Sequence, residues 1–317
     1  LDNIKKIEDN SIDIIITDPP YWLGSKFKID AQGQYVGTTT DCKHTGTTWK
    51  IGDGYWLEAI FKEFFRVIKH GSFVLLFSID RFIDLPTYNA RRNGFDVCQS
   101  VYWKFKQGMP KGTNTSKRVD ALILQGNAGT RSLRKQEFDN PSGKEIEVKS
   151  GSNGFSHDVK LINRKSETVP LTDAGKKYAG SVYGLACLAP EIEVIGVYRK
   201  PAKYDNMATD AAKSLEDPTV RAAAVYVDRY KEKYGKFPGQ VLEVNKPNST
   251  ERNGHPTQKP VQLMEDLIML FSNDDDIVLD PFCGSGTTLV AAKKMDRKYL
   301  GFEINETFKN IADERLK

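Results

Sequence analysis

The run Ile12-Asp13-Ile14-Ile15-Ile16-Thr17 stops at Asp18-Pro19-Pro20-Tyr21, and this junction limits the fold more than any other stretch. Four isoleucines in five positions form a continuous β-branched run rather than an alternation. That is the pattern of a parallel-type strand covered on both faces. Two prolines then end the ladder, because neither has an N–H to donate. Residues 71–78 (GSFVLLFS) and 276–282 (DIVLDPF) repeat the form, and weaker strands are expected at 97–105, 191–199 and 298–304. Between them, residues 55–68 place Leu57, Ile60, Phe61, Phe64 and Ile68 on one helical stripe, and Gly71 follows as a stop signal. Val261, Met264, Leu267, Ile268 and Phe271 form a second stripe, and Phe308, Ile311, Ala312 and Leu316 a third. Strands alternating with such helices predict an α/β chain with a doubly wound, mostly parallel sheet.

Two polar regions interrupt this rhythm, at 111–180 and at 202–254, the second with a helix expected over 219–234. The reading is therefore a catalytic α/β body of residues 1–111, 182–201 and 253–317, carrying insertions at 112–181 and 202–252. A third polar stretch, 24–54, directly follows the proline pair and is long enough to be a lid. No run approaches the ~20 apolar residues of a membrane-spanning helix. The first ten residues are too polar for a secretory signal, and a first residue that is Leu rather than Met implies a longer gene product. Cys42, Cys98, Cys187 and Cys283 are widely spaced and accompanied by only four His. That argues against a disulfide framework or a zinc site, leaves no metal to expect, and fits a reducing cytoplasm.

Charge is informative through its distribution. The chain carries +4 overall, yet residues 102–177 hold 15 Lys and Arg against 8 Asp and Glu, leaving the remainder slightly acidic. A basic middle on an acidic body is the asymmetry expected of a segment that faces phosphates.

Three motifs carry the chemistry. Ligands of open α/β sheets sit at the carboxyl ends of strands, which is where Asp18-Pro19-Pro20-Tyr21 falls. An aromatic or exocyclic amino nitrogen is a poor nucleophile, since its lone pair is delocalised into the ring. Two acceptors aimed at its N–H groups, the Asp18 carboxylate and the Pro19 carbonyl, would help to localise that pair. Tyr21 is suited to stack on the base. The second motif is Asp280-Pro281-Phe282-Cys283-Gly284-Ser285-Gly286-Thr287-Thr288. Its glycines permit close backbone approach at a helix N-terminus. The Lys of a phosphate-binding P-loop is missing before Thr287, which disfavours nucleotide hydrolysis. Glu303, in Gly301-Phe302-Glu303-Ile304-Asn305, stands about 20 positions later, where an acidic residue accepts from both hydroxyls of a ribose. The third motif, His255-Pro256-Thr257-Gln258-Lys259-Pro260, opens a helix that Thr257 and Lys259 are placed to cap while reaching an anionic group.

In this order the three motifs resemble the amino-group DNA methyltransferases, which use S-adenosylmethionine to methylate N6 of adenine or N4 of cytosine. The permuted order is similar to the group called beta, and quieter stretches near 66–71, 102–104, 109–120 and 190–201 agree, the last two being similar to segments of phage and prophage members. The resemblance fails over 130–167 and 206–253, where target recognition is expected. It implies a Rossmann-like, circularly permuted methyltransferase fold with an inserted DNA-recognition region, and normally a further strand and turn before Leu1. It implies Asp18, Pro19, Pro20 and Tyr21 as catalytic residues. Thr257, Lys259, Asp280, Phe282, Gly284, Gly286, Thr287, Thr288, Glu303 and Asn305 are the expected cofactor residues. Lys104, Lys111, Lys117 and Arg118 are expected on double-stranded DNA. Asp as the first residue of the tetrapeptide favours adenine over cytosine, and RNA or protein glutamine is a more distant alternative. The setting implied is a restriction system or a phage, with a homodimer as one assembly.

Overall fold

A computed structural model describes residues 2–20, 55–106, 112–126, 170–184 and 187–317. Within 26–49 it also describes two strand pairs, Lys26–Ile29 with Tyr35–Thr38 and Cys42–His44 with Thr47–Trp49, both antiparallel. The chain divides into two compact units, residues 1–107 with 191–317, and residues 108–190.

In the larger unit the chain runs through β1 (Ile12–Thr17), α1 (Tyr55–Val67), β2 (Ile68–Ser78), α2 (Asp84–Arg92) and β3 (Val101–Lys104). It resumes with β4 (Ile192–Arg199), α3 (Met207–Lys213), α4 (Val227–Tyr234) and β5 (Val241–Glu243). It closes with α5 (Val261–Phe271), β6 (Ile277–Asp280), α6 (Thr287–Lys294), β7 (Lys298–Gly301) and α7 (Glu306–Arg315). The sheet order is β5-β3-β4-β2-β1-β6-β7, with the short strand Asp96–Val97 also paired to β4. Every pairing between neighbours is parallel except those of β4, which runs against both β2 and β3.

The isoleucine run forms the middle of this sheet, and its side chains divide between the two faces. Ile14 and Ile16 join Phe73, Leu75, Phe77, Val278 and the buried stripe of α5 on one side. Ile15 joins Val74, Leu76, Leu279 and the α1 residues Leu57, Phe61 and Phe64 on the other. At roughly 1.5–3 kcal/mol for each buried aliphatic or aromatic side chain, this double covering is what holds the strand ends in place. Among the described residues no helix is long and apolar enough to cross a membrane.

Two boundaries differ from the sequence reading. Residues 202–252 are built into the α/β unit rather than inserted on it. β5 extends the sheet, Tyr230, Leu242 and Val244 enter the core, and the buried Trp103 Nε1–H donates to the Val244 carbonyl at 2.7 Å. Single apolar residues between polar ones gave no continuous signal there. The helix expected over 219–234 starts only at Val227. Arg221, at 5% exposure, donates instead to the Phe271 carbonyl and to Asp276, while its backbone N–H pairs with His70. Tertiary contacts override the helix propensity of the alanines beside it.

The second difference concerns the smaller unit, which ends at residue 190 rather than 181. Val182–Tyr183 pairs with Thr113–Asn114 inside it. Its helix Thr115–Gln125 is capped by the Asn114 side chain, which accepts from the Lys117 N–H at 3.0 Å. Asp120 fixes the neighbouring segment, accepting from the Leu171 and Thr172 N–H groups and from the Thr172 hydroxyl.

Candidate active site

Because β1, β6 and β7 run the same way, their carboxyl ends share one sheet edge. The reversed β4 brings its beginning, not its end, to that edge. Asp18 follows β1 there. One of its oxygens, Oδ2, is ion-paired with the Lys259 ammonium, and Lys259 also reaches Glu193 Oε2 of β4 at 3.3 Å. The Lys259 ammonium lies 5.1 Å from the centre of the Phe77 ring. Burial alone would lower the Lys259 pKa, but Asp18 and Glu193 reverse this and raise it, so the side chain is held as a cation. The other Asp18 oxygen, Oδ1, is buried and has no hydrogen-bond partner among the described residues. Pro19 is buried and Pro20 partly so; Tyr21 lies outside the described residues.

The glycine motif forms a turn between β6 and α6, braced by Asp280. This carboxylate accepts from the Thr17 hydroxyl at 2.8 Å, the Thr288 hydroxyl at 2.7 Å and the Phe282 N–H at 3.1 Å. Burial pushes its pKa up to about 6 despite these donors. Asp280 is therefore an internal brace of the loop rather than a group directed at a ligand. Gly286, at φ +79°, precedes α6, and a Cβ there would stand 2.8 Å from Ala312 Cβ, so the glycine lets α6 and α7 approach. Thr287 is buried and accepts from Arg315 of α7 at 3.2 Å. Phe282 packs partly buried against the α1 side of the core.

Glu303, just beyond β7, faces the same turn. Oε2 accepts from the Gly284 N–H at 2.9 Å and Oε1 from the Asn305 N–H at 2.8 Å. A carboxylate has about four acceptor sites, so each oxygen retains capacity for one hydroxyl. A half-buried pair of acceptors beside the glycine turn suits a ribose, and the residues present fit an adenosine-containing cofactor. Asn305 itself caps α7, accepting from the Phe308 N–H at 3.2 Å, and so positions Glu303 from behind.

The His255–Pro260 segment differs from expectation in its details. Thr257 is exposed, and neither it nor Lys259 caps α5. Glu251 does so instead, its Oε1 accepting from the Val261 N–H at 2.6 Å. Lys259 turns into the site to meet Asp18. His255 lies edge-on to Phe308, 4.4 Å between ring centres, and against the glycine turn, where a Cβ on Gly284 would come within 2.8 Å of Nε2. Burial, with Lys259 and Arg315 nearby, lowers its pKa to about 4 and keeps the ring neutral. The third motif thus joins the other two physically. Glu193, Glu251 and Arg315 were not singled out from the sequence, because nothing in their local spacing marks them.

The expected DNA residues fall in both units. Lys104, at the end of β3, is paired with Glu243 of β5 at 2.6 Å. Lys117 and Arg118 belong to the smaller unit, where the Arg118 guanidinium donates to the Tyr183 hydroxyl at 2.9 Å. Lys111 lies outside the described residues.

A carboxylate acceptor at one strand end, beside a glycine turn closed by a second carboxylate, defines a methyltransferase-type site on a Rossmann-like sheet. The chain belongs to the DNA methylase family of N6 and N4 amino-methyltransferases, whose model matches residues 12–314. S-adenosylmethionine is the methyl donor of that family. The chain is 25% identical to the Type II methyltransferase M.HindIII of Haemophilus influenzae, covering 99% of this chain and 91% of that one. It is also 25% identical to the DNA adenine methyltransferase YhdJ of Escherichia coli K12, over 100% of this chain and 80% of the relative. The crystal structure of the M1.HpyAVI–SAM complex shares the fold with a TM-score of 0.51 at 19% identity, covering 99% of this chain and 91% of that one.

Proposed function

We propose that the protein methylates N6 of an adenine flipped out of double-stranded DNA at a specific site. The observation that carries this reading is Asp18 Oδ1, a buried acceptor with no partner among the described residues, beside the glycine turn. Bound S-adenosylmethionine supplies an electrophilic methyl group. The chain itself orients the nucleophile: Asp18 accepts from one amino N–H, and the Pro19 carbonyl accepts from the other. Lys259 fixes the carboxylate so that Oδ1 is not free to rotate away. Extruding the base costs a few kcal/mol. The basic stretch around Lys111, Lys117 and Arg118, with Lys104, would meet that cost in part through phosphate contacts.

Adenine is favoured by Asp at the first position of the tetrapeptide and by similarity to a relative named for adenine. Cytosine N4 presents the same two-hydrogen amino group and is the alternative. Incubating the protein with duplex DNA and methyl-labelled cofactor, then digesting to nucleosides, separates them. Label in N6-methyl-2′-deoxyadenosine is the expected outcome, and label only in N4-methyl-2′-deoxycytidine would reassign the base.

Glu303 provides an independent check of the cofactor half. Glu303→Ala leaves the Gly284 and Asn305 N–H groups, and the ribose hydroxyls, short of an acceptor, at about 1–3 kcal/mol for such losses. Calorimetry should show the cofactor Kd rising about ten- to a hundredfold with DNA affinity nearly unchanged. An unaltered cofactor Kd would place the ribose elsewhere.

A further inference from the structure

We propose that Glu193 is a positioning residue for methyl transfer, acting through Lys259 to keep the Asp18 acceptor aimed and its surroundings net negative. This rests on the reading of Asp18 above and deepens it. The topology makes the placement possible, since only the reversed β4 could deliver its first residues to the edge where β1 ends. The Val194–Ser78 and Ile16–Leu75 registers put Glu193 and Asp18 on neighbouring parts of that edge.

The charges give the pairing a purpose. Asp18 and Lys259 alone form a neutral couple, and a cation at 6% side-chain exposure would draw on the single carboxylate it touches. Glu193, 3.3 Å away and 20% exposed, supplies the second negative charge. The trio then carries one net negative charge while Asp18 keeps Oδ1 for the substrate. As the N–C bond forms and the donor's C–S bond breaks, positive charge passes to the amino nitrogen, which then sheds a proton to water. A fixed negative charge nearby stabilises that developing cation more than it stabilises the neutral amino group, so its effect belongs in the rate. A Glu193 that merely compensated a buried lysine would affect folding and leave the rate alone.

The test is single-turnover methyl transfer by the full chain, with cofactor and DNA affinities measured in parallel. Glu193→Gln keeps shape and one acceptor oxygen but removes the charge. It should slow transfer about tenfold or more while both Kd values stay within about threefold of the parent. Glu193→Asp, which keeps the charge, should recover most of the rate. In a Lys259→Met background, Glu193→Gln should cause a smaller slowing than in the parent, because the part transmitted through Lys259 to Asp18 has gone and only the direct charge effect is left. A Glu193→Gln rate within about twofold of wild type overturns the inference. So do equal defects in Glu193→Gln and Glu193→Asp, or a full additional loss without Lys259. If the unaltered protein transfers no methyl group to DNA, the reading of Asp18 falls and takes this one with it.

Discussion

Asp18→Ala is expected to lower the methyl-transfer rate by about 10²–10³, the loss seen when one preorganised charge-stabilising contact is deleted. The geometry explains why no neighbour can substitute. Lys259 is a donor and cannot accept from an amino group, and Glu193 is engaged by that lysine at 3.3 Å. Removing Asp18 also takes one of two carboxylates from a buried ammonium, and breaking such pairs costs up to about 3–5 kcal/mol. The variant should therefore melt earlier, which could be mistaken for the catalytic effect. Asp18→Asn separates the two, since it preserves volume and one acceptor oxygen while losing the ion pair. It should retain more activity than Asp18→Ala. Cofactor affinity, built on the β6 and β7 ends, should change little in either variant. A folded Asp18→Ala protein with parental turnover would end the assignment of this residue as acceptor.

The framework of this site was legible because its signals are local. A run with isoleucine at four of five positions predicts a doubly covered strand, and a proline pair or a glycine turn at the end of such a run marks a ligand edge. Glu303 was legible too, through its distance from the glycines. What escaped were interactions between distant segments. Lys259 stands 241 residues from Asp18, and its own surroundings look like a helix start, which predicts a cap. Glu251 performs that task from ten residues upstream. Residues 202–252 hide their place in the sheet for a related reason: β5 has three residues with only Leu242 buried, too short for periodicity to register. Arg221 shows the limit of propensity, since its own partners on β2 and α5 keep it out of the helix that the alanines beside it favour.

The second large effect is expected at Asp280, where the sequence pointed to the right residue for a different task. Asp280→Ala should destabilise the protein by about 3 kcal/mol or more, because it strands the Thr17 and Thr288 hydroxyls and the Phe282 N–H, each costing about 1–3 kcal/mol when left unpaired. That is a substantial part of the roughly 5–15 kcal/mol available to a domain. The pH dependence of the loss has a definite sign. In the folded chain the Asp280 pKa stands near 6, above its unfolded value, because burial disfavours the ionised form. The stability it contributes is thus fully present below about pH 4 and declines as pH rises through about 6. Urea unfolding of parent and variant should show a wider gap at pH 5 than at pH 8, with titrations common to both proteins cancelling. A gap that widens with pH would mean the three donors outweigh burial and that Asp280 is held ionised. The cofactor turn should loosen along with the fold, since this carboxylate ties the end of β1 to both the β6 turn and α6. Cofactor binding by Asp280→Ala should therefore weaken even though Glu303 is intact, because the turn that presents the Gly284 backbone has lost its brace.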